Sequence, residues 1–456
     1  MSAVALRWQR RRVPRMPACD GRGRPHSPAR RGDLVPTKAT SASRPTPPGR
    51  LHGQALIAAL LVITVLAASG LLAGGELRAR AAARAHARSI DALATARAAL
   101  IGYAISYAET HRGEGYGFLP CPDGGNSGST PIGACGARGT AAIGRLPWRT
   151  LGLPELRDGW GECLWYAVAG SAKHNPKPLA LNWDSPGQFR PLDPEGDPQA
   201  VGAGDGLAIA VVFAPGPVRS GQTRPSSRGS GCSGSDSATT DLPHYLDHAH
   251  PRTATSVIVV PGQGLQPGDD DAPNDLAIWI GIDDVFDALR RRHDHATHLD
   301  ALLARSLSAL RARLGSGRDA WLARHARLVG QLAVGVLPSA ETLGIPADER
   351  GPIDDWHEQM HFAACPDGSA CIDVARPDGG QDRCRAVLAF GGERARSGAS
   401  PQSRTTPAER ADLAAYFEDR NPVALRHGIP HFEGGERFIV PDRSQPATGD
   451  VIRCLP

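Results

Sequence analysis

One uncharged run constrains what this chain can fold into more than any other feature. Residues 54–74 read QALIAALLVITVLAASGLLAG and hold no charged side chain over 21 positions. As a helix with a rise of about 1.5 Å per residue, the run would span about 30 Å, which is the hydrocarbon thickness of a bilayer. A secretory signal peptide is the alternative, but its apolar region is usually about 7–15 residues long. The run therefore predicts a retained transmembrane helix at residues 54–74.

Basic residues ahead of this run predict its orientation. Residues 1–52 contain twelve Lys and Arg against two acids, Asp20 and Asp33. The positive-inside rule then makes the N-terminus cytoplasmic and places the bulk of the chain in the periplasm, behind a single inner-membrane span. Residues 1–53 are rich in Arg, Pro and Ser and show no hydrophobic periodicity, which predicts a disordered basic leader.

The overall charge and composition exclude some classes of protein. The net charge of the whole chain is +4, but the leader alone carries +10, so the remaining residues carry −6. A mildly acidic remainder offers no basic surface for nucleic acid. Gly and Pro together account for 92 of the 456 residues, which favours many turns and argues against an all-helical protein.

Cysteine usage predicts disulfides. The chain has nine cysteines, and the eight that follow the apolar run fall on the side predicted to be oxidising. Local candidate pairs are Cys121 with Cys135, and Cys365 with either Cys371 or Cys384. Spacing alone does not fix the connectivity. The paired CxxC spacing typical of a structural zinc site is absent.

After the apolar run, the helix is predicted to continue as an amphipathic segment over residues 75–112. Apolar residues recur there at three- and four-residue spacing, and stop signals arrive at Gly113 and Gly115. Short apolar and β-branched runs then predict strands, and a longer periodic segment predicts a helix. The predicted strands are 161–168, 207–214, 255–260 and 274–282, and the predicted helix is 283–314.

The second half of the chain repeats the first. Four segments of one half have counterparts in the same order in the other, and 274–278 is more faintly echoed by 449–453. The four pairs are 146–154 with 337–346, 160–167 with 356–363, 213–221 with 390–398, and 242–251 with 413–422. The repeat predicts an α+β protein in which a long N-terminal helix carries two modules, 113–290 and 291–456, each with a helix and a small antiparallel sheet. Chance similarity among Gly- and Pro-rich connectors is the alternative.

A short motif suggests zinc chemistry, but the repeat argues against it. His357-Glu-Gln-Met-His361 matches HExxH, which binds zinc when a helix brings both histidines to one face. The repeat aligns this motif with a predicted strand, in which residues four apart lie about 13 Å from each other. A zinc hydrolase is therefore a remote alternative.

Two histidine groups and one acidic segment are weaker candidates for metal sites. His244, His248 and His250 read best as a surface loop, and His293, His295 and His298 as a solvated helix face. The acidic segment 269–275 offers Asp269, Asp271 and Asp275 as ligands for a structural calcium ion. It departs from the EF-hand pattern, and a solvated turn is the favoured interpretation. With no GxSxG, P-loop or dinucleotide fingerprint in the sequence, we expect no enzyme and no further cofactor.

The order of segments resembles one known family. A basic leader ending in Gly53, an apolar helix beginning Gln54-Ala-Leu-Ile57, an amphipathic continuation and then a small sheet follow the plan of type IV pilins and type II secretion pseudopilins. Asp158-Gly-Trp-Gly161 resembles the turn that leads into the first sheet strand of pseudopilins. Residues 269–280 resemble their acidic loop and last strand, where family members can hold calcium. The resemblance covers residues 53–285, and the repeat extends it to the C-terminus.

This resemblance implies a structural role without catalysis. Cleavage by a prepilin peptidase is expected between Gly53 and Gln54. The mature chain would be a minor pilin or pseudopilin-like subunit of a type IV pilus or type II secretion-like fibre, with other subunits and the assembly platform as partners. Family members usually have an aromatic residue after the cleaved Gly and a Glu at the fifth mature position. Gln54 and Ala58 stand there in this chain, which resembles certain tip-type members. An uncleaved, membrane-anchored periplasmic binding protein is the second hypothesis.

Overall fold

The computed structural model describes residues 52–193, 195–202, 205–225, 231–248, 250, 253–261, 273–394, 402–440 and 449–456. For residues 52–55 and 68–74 it describes the backbone alone. The chain divides into two units, residues 1–71 and 72–456. In the first unit, the described residues are helical.

Helix α1 (His52–Thr110) contains the predicted span and its amphipathic continuation. Large apolar side chains between residues 56 and 67, such as Leu56 and Ile63, are exposed. No helix in the part of the chain with described side chains has the length and apolar character needed to cross a membrane. Nine positions of the predicted span, 54–55 and 68–74, lie outside that part.

The first sheet has seven strands and follows α1 in the second unit. The chain order is β1 (Ala141–Arg145), β2 (Trp165–Val168), β3 (Phe189–Pro191), β4 (Ala208–Ala214), helix α2 (Ala238–Tyr245), β5 (Thr253–Ala254), β6 (Ile258–Val260), β7 (Leu276–Gly281) and helix α3 (Ile282–Arg290). Strands β1, β2, β4 and β7 are successive antiparallel neighbours. Every residue of β2 and β4 is buried, as expected for central strands covered on both faces, and Leu93 and Leu100 of α1 belong to the same core.

The second sheet has five strands, and a smaller three-stranded sheet accompanies it. The chain order is helix α4 (His295–Gly315), helix α5 (Arg318–His325), β8 (Arg327–Val329), β9 (Leu332–Val336), helix α6 (Gly351–Trp356), β10 (Met360–Ala364), β11 (Ile372–Ala375), β12 (Gln381–Cys384), β13 (Ala386–Phe390), helix α7 (Pro407–Arg410), helix α8 (Asn421–His427), β14 (His431–Glu433) and β15 (Val451–Leu455). Strands β9, β10, β13 and β15 are successive antiparallel neighbours. The α+β class predicted from the sequence is confirmed.

The two four-stranded cores have the same strand order and the same register. In β1 and β2, Arg145 lies opposite Trp165, and in β9 and β10, Val336 lies opposite His361. The residue that follows the first strand makes an equivalent backbone hydrogen bond in both cores. The N–H of Leu146 donates to the Leu164 carbonyl at 2.9 Å. Its counterpart, the N–H of Leu337, donates to the Met360 carbonyl at 2.8 Å.

One correspondence drawn from the sequence is wrong by one residue. The repeat pairs Phe213 with Phe390, but Phe213 lies opposite Trp165, whereas Ala389 lies opposite His361, the counterpart of Trp165. The equivalent of Phe213 is therefore Ala389. Both β4 and β13 are buried at every position, so no alternation of polar and apolar residues marks their register.

Other predicted boundaries also shift. The predicted helix 283–314 is two helices, α3 and α4, separated at residues 291–294. Arg292 holds this break against α1, because its Nη1 donates to the Ile105 carbonyl at 2.8 Å and its Nη2 lies 2.5 Å from a Glu109 carboxylate oxygen. The strand predicted at 161–168 begins only at Trp165, and the strand predicted at 255–260 begins only at Ile258.

The two modules share one apolar core. Trp183, in a loop of the first module, packs edge-to-face on Trp356 of the second with ring centroids 4.4 Å apart. Next to this contact, the Leu181 N–H donates to Asp355 Oδ1 at 3.0 Å, and Asn182 Nδ2 donates to the Asp355 carbonyl at 2.8 Å. Buried apolar and hydrogen-bonded contacts thus join the modules, which favours their unfolding together.

Candidate functional site

Each module contains a buried arginine in the same setting. In the first module, Arg224 Nε donates to the His244 carbonyl at 2.8 Å, Nη1 to the Gly216 carbonyl at 2.8 Å, and Nη2 to Gln222 Oε1 at 2.7 Å. The guanidinium also lies over the ring of Tyr245, with its Cζ 5.2 Å from the ring centroid. The N–H groups of the planar guanidinium therefore have hydrogen-bond acceptors, and the tyrosine ring covers one of its faces.

In the second module, Arg404 makes the same contacts. Its Nε donates to the Ala415 carbonyl at 2.6 Å, Nη1 to the Gly392 carbonyl at 3.1 Å, and Nη2 to Gln402 Oε1 at 3.3 Å. Its Cζ lies 4.5 Å from the centroid of the Tyr416 ring. Donors, acceptors and aromatic partner therefore correspond one by one between the modules.

A glycine with positive φ supplies the accepting carbonyl in both places. The φ angle is 66° at Gly216 and 58° at Gly392. Each glycine follows the corresponding central strand, β4 or β13. Glycine adopts this left-handed conformation without the cost that a Cβ brings, so the chain can turn its carbonyl toward the guanidinium.

Next to each arginine lies a pair of carboxyl side chains. The Asp247 N–H donates to Asp275 Oδ2 at 2.8 Å, and the Asp275 N–H donates back to Asp247 Oδ2 at 3.0 Å. In the second module, the Glu418 N–H donates to Asp450 Oδ2 at 3.1 Å. Asp275 and Asp450 precede the last strand of their sheets, so each pair ties that strand to the segment carrying the tyrosine.

The glutamines join the arginines to these carboxyl pairs. Gln222 Nε2 donates to Asp247 Oδ1 at 3.3 Å, and Gln402 Nε2 donates to Glu418 Oε1 at 3.1 Å. We call each set an arginine clasp. The first clasp is Gln222, Arg224, Tyr245, Asp247 and Asp275, and the second is Gln402, Arg404, Tyr416, Glu418 and Asp450.

Burial perturbs the acids of both clasps. Desolvation, followed by the charge of Asp247, raises the pKa of Asp275 well above its usual range. Desolvation, followed by the charge of Glu418, does the same for Asp450, and desolvation also raises the pKa of Glu418. Two buried carboxyls that contact each other share a proton more readily than they both ionise. The clasps can hold protons and fix chain segments.

The second clasp also reaches across to the first module. Arg404 Nη1 lies 2.9 Å from Oδ2 of Asp184, and Gln359 Nε2 donates to the same oxygen at 2.8 Å. In the first clasp, the acid near the arginine comes from the same module, with Arg224 Nη1 3.9 Å from Glu162 Oε1. The arginine–acid contact therefore joins the two modules in the second clasp and stays within one module in the first.

The acidic segment offered as a calcium loop is described only in part. Asp269 and Asp271 lie outside the described residues. Asp275 is fully buried in the first clasp, and its Oδ2 accepts the Asp247 N–H. Its carboxylate therefore contacts a backbone amide and lies beside another carboxyl, that of Asp247.

The zinc motif does not lie on one helix. His357 belongs to a single 3₁₀ turn, and its Nδ1 lies 3.0 Å from the Leu337 carbonyl oxygen. His361 lies in β10, packs edge-on against Phe417, and burial lowers its pKa to about 4. The helical presentation that HExxH requires is absent from these described residues.

A second histidine group is also partly buried, contrary to the expected surface loop. Burial lowers the pKa of His248, and it lowers the pKa of His250 to about 4. The ring of His250 lies 5.1 Å from that of Phe213. Within the described parts of the chain, one group of at least three candidate metal ligands has its donor atoms within 4.8 Å, namely Glu155, Cys163 and Cys232. Those two cysteines are joined in a disulfide, so they do not offer thiolates to a metal.

The predicted use of cysteines in disulfides is confirmed. Four bonds join the eight cysteines, and the pairs are Cys121–Cys135, Cys163–Cys232, Cys365–Cys371 and Cys384–Cys454. Cys384, which spacing also offered as a partner of Cys365, instead joins the end of β12 to β15. The two long-range bonds, Cys163–Cys232 and Cys384–Cys454, join cysteines whose pairing could not be predicted from their spacing in the sequence.

The candidate cleavage site lies at the beginning of α1. Gly53 and Gln54 are helical in backbone, and their side chains are outside the described set. The bond belongs to the first unit, residues 1–71.

Sequence reasoning missed the arginines and glutamines of the clasps. The signal was present as Gln-x-Arg at 222–224 and again at 402–404. It follows Arg-Ser-Gly directly in the first module, but after three intervening residues in the second. An alignment of the two halves that places no gap after Arg-Ser-Gly does not pair the two Gln-x-Arg motifs.

The comparisons with known proteins add no relative. No protein-family model, no curated protein and no solved structure matches this chain.

Proposed function

We propose that this chain is a non-catalytic minor pilin or pseudopilin-like subunit, held in the inner membrane by residues 54–74 and carrying its two modules in the periplasm. Its partners would be other subunits of a type IV pilus or type II secretion-like fibre, the assembly platform and a prepilin peptidase. This function depends on helix packing and surface recognition.

The observation that carries the proposal is one helix followed by a duplicated helix-and-sheet plan. Helix α1 enters the core of the first module through Leu93 and Leu100, and α4 enters the same core through Leu303. Each helix precedes four antiparallel strands in the same order. A pilin-like head that has been duplicated behind one assembly helix would have this arrangement.

The earlier part of α1 supports the proposal in a second way. Leu56, Leu60 and Ile63 are each more than half exposed. A soluble helix rarely presents such a surface without a partner, whereas lipid or neighbouring helices of a fibre would cover it. Four disulfides fit the oxidising compartment in which the modules would reside.

The second hypothesis is an uncleaved, membrane-anchored binding protein. One sequence observation favours it: Ala58 stands where fibre-forming members of the pilin family usually carry a Glu. The two hypotheses differ in what the apolar helix touches in the cell.

Cross-linking through this helix separates the two hypotheses. Cysteines would be introduced singly as Ile57→Cys and Leu61→Cys, in a chain whose leader cysteine is removed by Cys19→Ser. The fibre hypothesis predicts oxidative cross-links between copies of this chain at these positions, whereas the anchor hypothesis predicts contacts with other proteins only. Arg80→Cys, on the same helix outside the apolar run, is the matched control. Membrane-embedded chains that never cross-link at positions 57 or 61, while assembly proceeds, would contradict the fibre role.

A further inference from the structure

A small cavity lies in the second module, at the point where α4 ends and α5 begins. The last turn of α4, the first residue of α5, the ends of β10 and β15 and the turn that follows β10 bound it. Its volume is about 100 Å³, well below the range of about 300–1,000 Å³ typical of sites for drug-sized molecules. The cavity therefore suits a compact chemical group.

Three arginines line this cavity, and none of the described residues around it is acidic. They are Arg311 of α4, Arg318 at the first position of α5, and Arg385 between β12 and β13. Positive charges that converge on one place repel each other, and a bound anion relieves this repulsion. The charge of the lining therefore favours an anion.

Most guanidinium N–H groups of the three arginines have no acceptor within the described chain. Arg311 makes no hydrogen bond or ion pair with the described residues. Arg318 donates through Nε to Asp319 Oδ1 at 3.2 Å, and Arg385 donates through Nε to the Pro456 carbonyl. The Nη1 and Nη2 groups of Arg318 and Arg385 are therefore available to a ligand.

The guanidinium of Arg318 is packed against the turn that follows β10. The Cys365–Cys371 disulfide closes this turn, and a Cβ at Gly368 would collide with Arg318 Nη1. Gly368 has a φ angle of 76°, which glycine adopts without the cost that a Cβ brings. The glycine thus allows the guanidinium to lie close to the turn, beside the cavity that both residues line.

Nearby negative groups do not cancel this charge inside the cavity. Asp319 and Asp367 are exposed, and neither lines the cavity. An exposed ion pair such as that of Arg318 with Asp319 contributes about 1 kcal/mol or less. The end of α4 adds a partial negative charge, but the beginning of α5 has no side-chain cap and adds a matching partial positive charge.

The number of arginines favours a phosphate group over a carboxylate. Each guanidinium is a planar fork of donors that fits two oxygens of either anion. A carboxylate has two oxygens and a single charge. A phosphate group on a larger molecule has three strong acceptor oxygens and a charge of about −1.5 to −2 near pH 7. Three forks are therefore better matched by a phosphate group.

We propose that this cavity binds a phosphate group, with Arg311, Arg318 and Arg385 donating to its oxygens. The group is either free phosphate or the phosphate of a larger molecule whose remaining part projects into solvent past the exposed Arg311 and Arg385. This site is independent of the proposed fibre role, because it involves neither the N-terminal processing nor the apolar run.

Titration calorimetry of the full-length chain with inorganic phosphate, at constant ionic strength, tests the proposal. Acetate is the comparison for a carboxylate. We expect saturable binding of one phosphate per chain, about tenfold or more tighter than acetate, since hydrogen bonds between charged groups are the strong ones. No saturable binding of phosphate would overturn the proposal, and so would acetate binding as tight as that of phosphate.

Glycerol 3-phosphate separates the two sources of the phosphate group. If it competes with inorganic phosphate at equal affinity, the site accepts a phosphate that belongs to a larger molecule. If it binds much more weakly, the ligand is free phosphate. Both results support a phosphate site.

Variants distinguish this cavity from general attraction to a charged surface. Arg311→Gln and Arg385→Gln should each weaken phosphate binding about tenfold, because each removes a charge and its hydrogen bonds. Arg324→Gln is the matched control, since Arg324 is exposed on α5 and does not line the cavity. Its affinity should stay close to that of the wild type.

Equal weakening by all three substitutions would overturn the assignment to this cavity. Arg311→Gln carries the test even if Arg385→Gln fails to fold, because the Arg311 side chain has no partner among the described residues. Phosphate affinity unchanged by Arg311→Gln would overturn the assignment as well.

Discussion

The backbone N–H of Glu418 donates to Asp450 Oδ2 at 3.1 Å, and the side chains of these two acids are in contact within the second clasp. Asp247 and Asp275 stand in the same relationship in the first clasp. The chain therefore has two carboxyl pairs at equivalent places, and each lies beside a buried arginine. Because these carboxyls titrate, the free energy of unfolding should depend on pH.

The buried acid pairs should contribute less to stability as the pH rises from about 4 toward neutrality. An acid whose folded pKa is raised keeps its proton in the folded state after the unfolded chain has released it. Its contribution is complete below the unfolded pKa, about 4, and is lost as the pH rises through the folded pKa. Burial raises the pKa of Asp275, Glu418 and Asp450. Urea unfolding between pH 4.5 and 8 measures this contribution as the difference between the wild type and a variant that lacks one acid. The comparison is needed because the buried His250 and His361, whose pKa values are lowered to about 4, change stability in the opposite direction.

Asp450→Asn should lose less stability than the wild type between pH 4.5 and 8, because it removes one titrating member of the second pair. The matched control is Asp373→Asn, whose carboxylate is exposed in an ion pair with Arg383. Each unit of raised pKa that is removed corresponds to about 1.4 kcal/mol. A loss of stability identical to that of the wild type over this pH range would show that the pair does not share a proton.

Removing a clasp arginine should destabilise the chain strongly. Arg404→Met leaves Asp184 without its ion partner in the interior, and breaking a buried pair costs about 3–5 kcal/mol. Arg224→Met should cost less, since its nearest acid, Glu162, is 3.9 Å away. Arg383→Met, at an exposed pair, should cost about 1 kcal/mol or less. Denaturant unfolding that ranks Arg383→Met equal to Arg404→Met would refute a structural role for the clasp.

The junction between modules should depend on Trp183. We expect the wild-type modules to unfold in one transition, because Trp183 packs on Trp356 inside a shared core. Trp183→Ala should cost about 3–5 kcal/mol by leaving a cavity. Trp148→Ala, at a half-buried position within the first module, is the control and should cost less. Calorimetry that resolves two wild-type transitions would contradict the shared core.

The long-range disulfides should matter more than the local ones. Cys384–Cys454 has a sequence separation of 70 and Cys365–Cys371 a separation of 6. Chain-entropy reasoning gives about 4 kcal/mol for closing the longer loop and about 2 kcal/mol for the shorter. The paired replacements Cys384→Ser with Cys454→Ser and Cys365→Ser with Cys371→Ser compare them by denaturant unfolding. Equal losses would show that loop length does not govern this difference.

The sequence predicted the parts of the fold that carry an apolar run or a repeated segment. Strands β4 and β7 lie within predicted segments, and Leu146 and Leu337 make the same backbone contact that their alignment implies. Register within β13 could not be predicted in the same way, because a strand buried at every position carries no alternating pattern. The polar strand β12 gave no apolar signal at all.

The clasps were missed for a different physical reason. Arg224 and Arg404 are fixed mainly by backbone carbonyls, which every residue offers, so the partners leave no mark on the sequence. The break between α3 and α4 is similar, since Arg292 is held by a carbonyl of distant α1. Tertiary contacts of this kind override local propensity.

The mass of the mature N-terminal peptide distinguishes a processed pilin-like subunit from an uncleaved chain. The full-length chain would be expressed in cells with an active prepilin peptidase, and the N-terminal peptide of the membrane fraction would be sequenced by mass spectrometry. A pilin-like subunit should begin at Gln54, and that product should be lost when the peptidase is absent. A membrane-bound chain that still begins at Met1 or Met16 in cells with the active peptidase would contradict it.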